Sequence, residues 1–125
     1  MKNVIKTDQA PGAIGPYSQG IQIENMYFFS GQIPLNPVTG EMAKGIENQT
    51  KQALENVKAL LQSQGLSFSD VVKTTVFLDN MDDFKAVNEV YATYFEQPYP
   101  ARSAVEVAKL PLGALIEVEI IAYKK

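Results

Sequence analysis

The sequence predicts an α+β fold, a mixed β-sheet with two helices packed on one face. Three observations carry this prediction. Apolar residues switch from an alternating period to a helical one twice, giving the order β-β-β-α-β-α-β-β. Glycine and proline gather between these segments, above all in Ala10–Ser18 and Gly31–Gly45. The 125 residues are 46% hydrophobic, enough to bury the core of a single domain spanning 1–125.

Val4-Ile5 is short and apolar, an edge strand. Ala10–Ser18 holds Pro11, Gly12, Gly15 and Pro16, so it is neither regular helix nor strand. Ile21–Ile23 and Met26–Ser30 flank Glu24-Asn25, the pattern of a hairpin. Gly31 to Gly45 reads as an ordered loop with a turn at Thr39-Gly40. From Glu47 to Gln64 the period becomes helical through Ala53, Leu54, Val57, Leu60 and Leu61, and Gly65 ends the run. Val71–Leu78 is rich in Val and Thr and predicts a strand. Asp82–Phe95 carries Phe84, Val87, Tyr91 and Tyr94 along one side of a second helix, with Asn80 or Asp82 at its start. Two alternating strands close the chain. Arg102–Val107 is expected in the sheet interior, with Arg102, Ala104 and Glu106 on one face. Leu115–Tyr123 places Ile116, Val118 and Ile120 on one face and Glu117, Glu119 and Ile121 on the other. The helices are expected to cover the first of these faces, leaving Glu117 and Arg102 together on the second. That open face keeps several apolar residues, which predicts an oligomer.

Composition removes whole classes of function. Cysteine is absent, so there is no disulfide, thiolate nucleophile or cysteine zinc site. Histidine is absent too, which excludes every triad that uses imidazole as its base. Eleven Lys+Arg against fourteen Asp+Glu leave a net charge of −3, a poor match to a phosphate backbone. No DxDxDG-like cluster predicts a metal. No segment approaches the roughly 20 apolar residues of a membrane helix, and Met1–Gly12 is no secretory signal, so a cytoplasmic protein is expected.

Chemistry must then come from carboxylates, Lys, Arg, Tyr, Ser, backbone groups and water. Arg102 is the single arginine beside ten lysines. A planar guanidinium grips a carboxylate through two parallel N–H bonds. Arg102 therefore reads either as a clamp for a substrate carboxylate or as a structural ion pair with Glu117, Glu119 or Glu106. Glu117, near an apolar wall, suits a general base that orients and deprotonates water; the alternative is a carboxylate paired with a lysine. Tyr17, in Gly15–Ser18, either presents its phenol to a ligand or plugs the core. Ser30-Gly31 allows close approach of backbone to a ligand, or simply turns the chain. Asn88 can bond a ligand or a neighbouring strand. Phe84 and Tyr91 read as packing.

Taken together, Ile14–Gly20, Ser30–Pro37, Val72–Leu78, Asp83–Tyr91, Pro100–Val107, Leu110-Pro111 and Ile116–Glu119 resemble the RidA/YjgF family of reactive-intermediate deaminases, over about Asp8 to Tyr123. The resemblance implies a chorismate-mutase-like fold, a homotrimer with clefts between subunits, and no cofactor. It implies hydrolysis of 2-iminobutanoate, 2-iminopropanoate and enamine tautomers such as 2-aminoacrylate, released by pyridoxal-phosphate enzymes, to 2-oxo acids and ammonia. By the same resemblance Arg102 binds the substrate carboxylate and Glu117 positions the attacking water. Tyr17, Ser30, Gly31 and Asn88 line the pocket. Ala104 stands where many members carry cysteine, so only its backbone groups are available to a ligand. Two rivals remain: a non-catalytic trimer that binds 2-oxo acids or docks on a regulator, and RNA cleavage, which the charge disfavours.

Overall fold

A computed structural model describes residues 1–125. Six strands form one sheet: β1 (Asn3–Ile5), β2 (Gly20–Ile23), β3 (Met26–Gln32), β4 (Val71–Leu78), β5 (Ala101–Glu106) and β6 (Ile116–Tyr123), in the spatial order β1-β2-β3-β6-β4-β5. All pairings are antiparallel except β4 with β5. Helix α1 (Ile46–Ser63) connects β3 to β4, and α2 (Phe84–Tyr91) connects β4 to β5. Parallel neighbours need such a crossover, because a tight turn reverses chain direction. Both helices pack on one face, as the sequence predicts.

The core lies between that face and the helices. Leu54, Val57, Leu60 and Leu61 of α1 meet Val76 and Leu78 of β4 and Ile116, Val118 and Ile120 of β6, each at most 1% exposed. Burying one such side chain contributes roughly 1.5–3 kcal/mol. The strict alternation along β6 is what sends Glu117 and Glu119 to the other face.

That other face is uncovered. It presents Val4, Ile23, Phe28, Val105 and Tyr123, each at least 41% exposed. No helix of the chain is long and apolar enough to cross a membrane.

Three expectations need correction. The strand Ala101–Glu106 is an edge strand, not an interior one, because the last strand inserts between β3 and β4 and takes the central place. The second helix stops at Tyr91. It begins with a 3-10 turn, Met81–Asp83, where the Asn80 side chain accepts from Asp82 N at 2.8 Å. Beyond Tyr91, Thr93 Oγ1 donates back to Val90 O, and Phe95 stacks on Tyr91 while packing edge-on to Phe68. Those contacts favour an irregular chain over continued helix. Third, Arg102 and Glu117 do not share a face. Arg102 pairs with Thr74 and Ala104 with Val76, and both β4 partners are fully buried on the helix side. Cross-strand neighbours project to the same face, so Arg102 lies on the helix side and Glu117 on the open side.

Candidate active site

Glu117 stands beside Gly31. Between Phe29 and Gln32 the β3–β6 register shifts, and this irregularity re-aims Ser30-Gly31. A Cβ on residue 31 would lie 2.7 Å from Glu117 Cδ and 3.0 Å from its Cγ, so only glycine admits the carboxyl there. Ser30 is held on three sides: its Oγ donates to Ser18 O at 2.6 Å, its N–H donates to Gln19 O at 2.9 Å, and its carbonyl accepts from Gln32 Nε2 at 3.1 Å. The Glu117 carboxylate has no partner within the chain. The one ion pair within the chain joins Lys124 to Asp70, so no lysine of the same chain pairs with Glu117. Burial raises the Glu117 pKa above the usual carboxylate value, and the charge of Glu119 on the same face adds to the rise.

These residues border a cleft of about 500 Å³, which Tyr17, Ile33, Leu35, Pro111 and Leu112 also line. Tyr17 is exposed; its hydroxyl accepts from Ile14 N at 3.4 Å, and its own N–H donates to Gly15 O. It is therefore no plug of the core.

Arg102 forms a second cluster, at the free edge of the sheet. Its Nη1 donates to Asn88 Oδ1 at 2.7 Å. Its guanidinium carbon sits 4.8 Å from the Tyr91 ring centre and 5.2 Å from that of Phe84. No carboxylate pairs with it. Glu106 instead accepts from Met81 N at 2.9 Å. Within the chain, Arg102 therefore makes no ion pair. What remains is a cation cradled on two aromatic faces, oriented by one amide, with other donors unused. Ala104 packs beside it against the core. Because Val107 N donates to Leu78 O, the odd residues of β5 turn their backbone groups towards β4. The N–H and C=O of Arg102 and Ala104 then point out from the edge.

The structure accordingly gathers Tyr17, Ser30, Gly31 and Glu117 in one place and Asn88, Arg102 and Ala104 in another. No group of three or more Asp or Glu side chains comes together as a metal site.

Several positioning residues escaped the sequence reading. Gln19, 4% exposed, accepts from Thr7 N and donates to Thr7 O and Pro11 O, fastening the N-terminal wall of the cleft. Asn56 donates to Ile33 O and Leu35 O at 3.1 and 2.9 Å, fastening the wall beyond β3. Gln49 accepts from Leu115 N and donates to Ala43 O. Gln49 and Asn56 are seven residues apart on the apolar stripe of α1. A polar side chain in that stripe was the available signal. Phe84 and Tyr91, read as packing, also form the shelf beneath Arg102.

The fold and these clusters define an α+β protein with a cleft beside Glu117 on one side of its sheet and an arginine without a carboxylate partner on the other. The chain belongs to the RidA/YjgF family: the family description Endoribonuclease L-PSP matches residues 7–124. It is 56% identical over 126 residues to the RutC family protein PH0854 of Pyrococcus horikoshii, covering 100% of both chains. It is 48% identical over 128 residues to the Escherichia coli K12 protein named 2-iminobutanoate/2-iminopropanoate deaminase, again covering 100% of both. The crystal structure of E. coli TdcF with bound serine matches it at a TM-score of 0.94 and 46% identity, over 98% of this chain and 99% of that one. The resemblance read from the motifs therefore holds, and so does the fold it implied.

Proposed function

We propose that this chain is an imine deaminase that hydrolyses 2-imino acids and their enamine tautomers to 2-oxo acids and ammonia. The observation that carries the reading is the unpaired, preoriented guanidinium of Arg102, together with the equally unpaired carboxylate of Glu117. A small acidic molecule fits the first, and a water molecule fits the second. One protomer directs the two groups to opposite faces of its sheet. A complete site therefore draws Arg102, Asn88 and Ala104 from one copy and Tyr17, Ser30, Gly31 and Glu117 from the next. Such a head-to-tail contact forms a ring when its rotation closes, and a homotrimer is one such ring. The uncovered apolar face gives the copies a surface to bury.

The chemistry requires no covalent nucleophile. Arg102 fixes the substrate carboxylate through its fork. Glu117 orients a water against the C=N carbon and takes its proton as the O–C bond forms. The imine nitrogen gains a proton, giving a carbinolamine. A second proton reaches the nitrogen, the C–N bond breaks, and the hydroxyl proton leaves as the carbonyl forms. Water plus imine becomes 2-oxo acid plus ammonia. Fixing both reactants in place supplies much of the acceleration, and a carboxylate of raised pKa is a stronger base for the first step. The deaminase name of the 48%-identical relative and the serine bound in TdcF support the same substrate class.

The test is direct. Threonine dehydratase acting on threonine generates the imine in solution, and adding this protein is expected to accelerate formation of 2-oxobutanoate. No acceleration, with saturable binding of 2-oxobutanoate, would make it a binding protein instead. The family description names an endoribonuclease. The −3 charge and the lack of histidine set against that activity are tested by salt-titrated RNA binding and cleavage.

A further inference from the structure

We infer that Leu112 sets the side-chain specificity of this cleft, favouring 2-imino acids with branched or longer apolar side chains over the smallest ones. The inference rests on the imine-deaminase reading and deepens it. Leu112 has φ 57° and ψ 24°, a left-handed backbone that L residues other than glycine, Asn and Asp seldom adopt. It is also 75% exposed, so folding of the single chain gains almost nothing from its side chain. A residue both strained and unburied points to a role outside the core.

Its surroundings say which role. Leu112 lines the Glu117 cleft, and so does Ile14, which is 89% exposed. The loop that carries Leu112 is firmly seated: Ala114 N donates to Pro111 O at 3.1 Å, and Leu115 N donates to Gln49 Oε1 at 2.8 Å. The strained backbone thus holds an apolar side chain at the cleft rather than letting it swing free. Ile33 and Leu35, fixed by Asn56, add more apolar lining. The polar groups that would meet the reacting carbon are Tyr17, Ser30 and Glu117. The apolar lining has no use for a carboxylate, water or ammonia. It suits the one apolar part of the substrate, its side chain.

The experiment compares two imines generated by an L-amino acid oxidase, from 2-aminobutanoate and from leucine, with semicarbazide trapping whatever escapes hydrolysis. Two variants are used. Leu112→Asn keeps a similar size and tolerates the left-handed backbone. Leu112→Gly keeps that backbone without a side chain. Both are expected to lower the leucine-to-aminobutanoate ratio about tenfold, the scale of a lost apolar contact in a specificity pocket. An unchanged ratio overturns the inference and leaves the deaminase reading intact. Equal loss on both imines together with dissociation of the oligomer also overturns it, since Leu112 would then be an assembly contact. Failure of the wild-type protein to hydrolyse any imine sinks both.

Discussion

The Glu117 carboxyl lies directly over the Cα of Gly31, so close that a Cβ there would stand 2.7 Å from Glu117 Cδ. A main-chain position on β3 thereby dictates where the β6 carboxylate sits. Gly31→Ala is expected to push the carboxyl aside with little effect on the fold, because the displaced atoms end a side chain rather than form backbone. A shift of about 1 Å at a reacting group costs on the order of 100-fold in turnover. Imine-hydrolysis kinetics beside far-UV circular dichroism check this; unchanged kcat would show that Glu117 need not sit where it does.

Arg102→Lys is expected to lower kcat/KM about 100-fold. An ammonium cannot reproduce the two-pronged grip, nor lie flat on Tyr91 and Phe84. Asn88→Ala frees the guanidinium without removing it and is expected to show a smaller loss, chiefly in KM. Steady-state kinetics on the threonine-derived imine separate the two. Full activity of Arg102→Lys would reduce the arginine to a structural role.

Placement on opposite faces of the sheet makes complementation possible. Arg102→Ala and Glu117→Ala are each expected to be inactive alone. Mixed by refolding together, they are expected to recover about a quarter of wild-type activity, since random mixing in the proposed cyclic trimer unites an intact Arg102 with an intact Glu117 at about one cleft in four. No recovery in verified mixed oligomers would mean that both groups act within one protomer.

Burial raises the Glu117 pKa in the folded protein above its unfolded value. Between those two values the native state binds the extra proton, so this group makes folding less favourable as pH rises through the window. Glu117→Gln is therefore expected to unfold at a higher temperature than wild type at pH 7, with the gain vanishing below the ordinary glutamate pKa. Catalysis should run the opposite way: wild-type kcat falls as acid protonates Glu117. Thermal melts and rates across the same buffers check both signs.

Asn56→Ala leaves the Ile33 and Leu35 carbonyls without their donor. The expected cost is about 1–3 kcal/mol in urea unfolding, with a raised KM because the released segment lines the cleft.

Strand and helix periods, the turn chemistry and the absence of Cys and His were legible in the chain, because each is a local property of neighbouring residues. Alternation alone placed Glu117 opposite Ile116 and Val118, and composition alone marked Arg102 as unusual. Strand order was not legible. Nothing near Ala101–Glu106 shows that β6 will insert between β3 and β4, leaving β5 at the edge with Arg102 on the helix side. That outcome follows from which strands bury the most apolar surface against α1, a competition among segments far apart in sequence. The approach of Glu117 to Gly31, the aromatic shelf under Arg102 and the amide clamps of Gln19, Gln49 and Asn56 have the same origin. Each is a contact between distant residues, whose geometry exists only once the sheet has chosen its register.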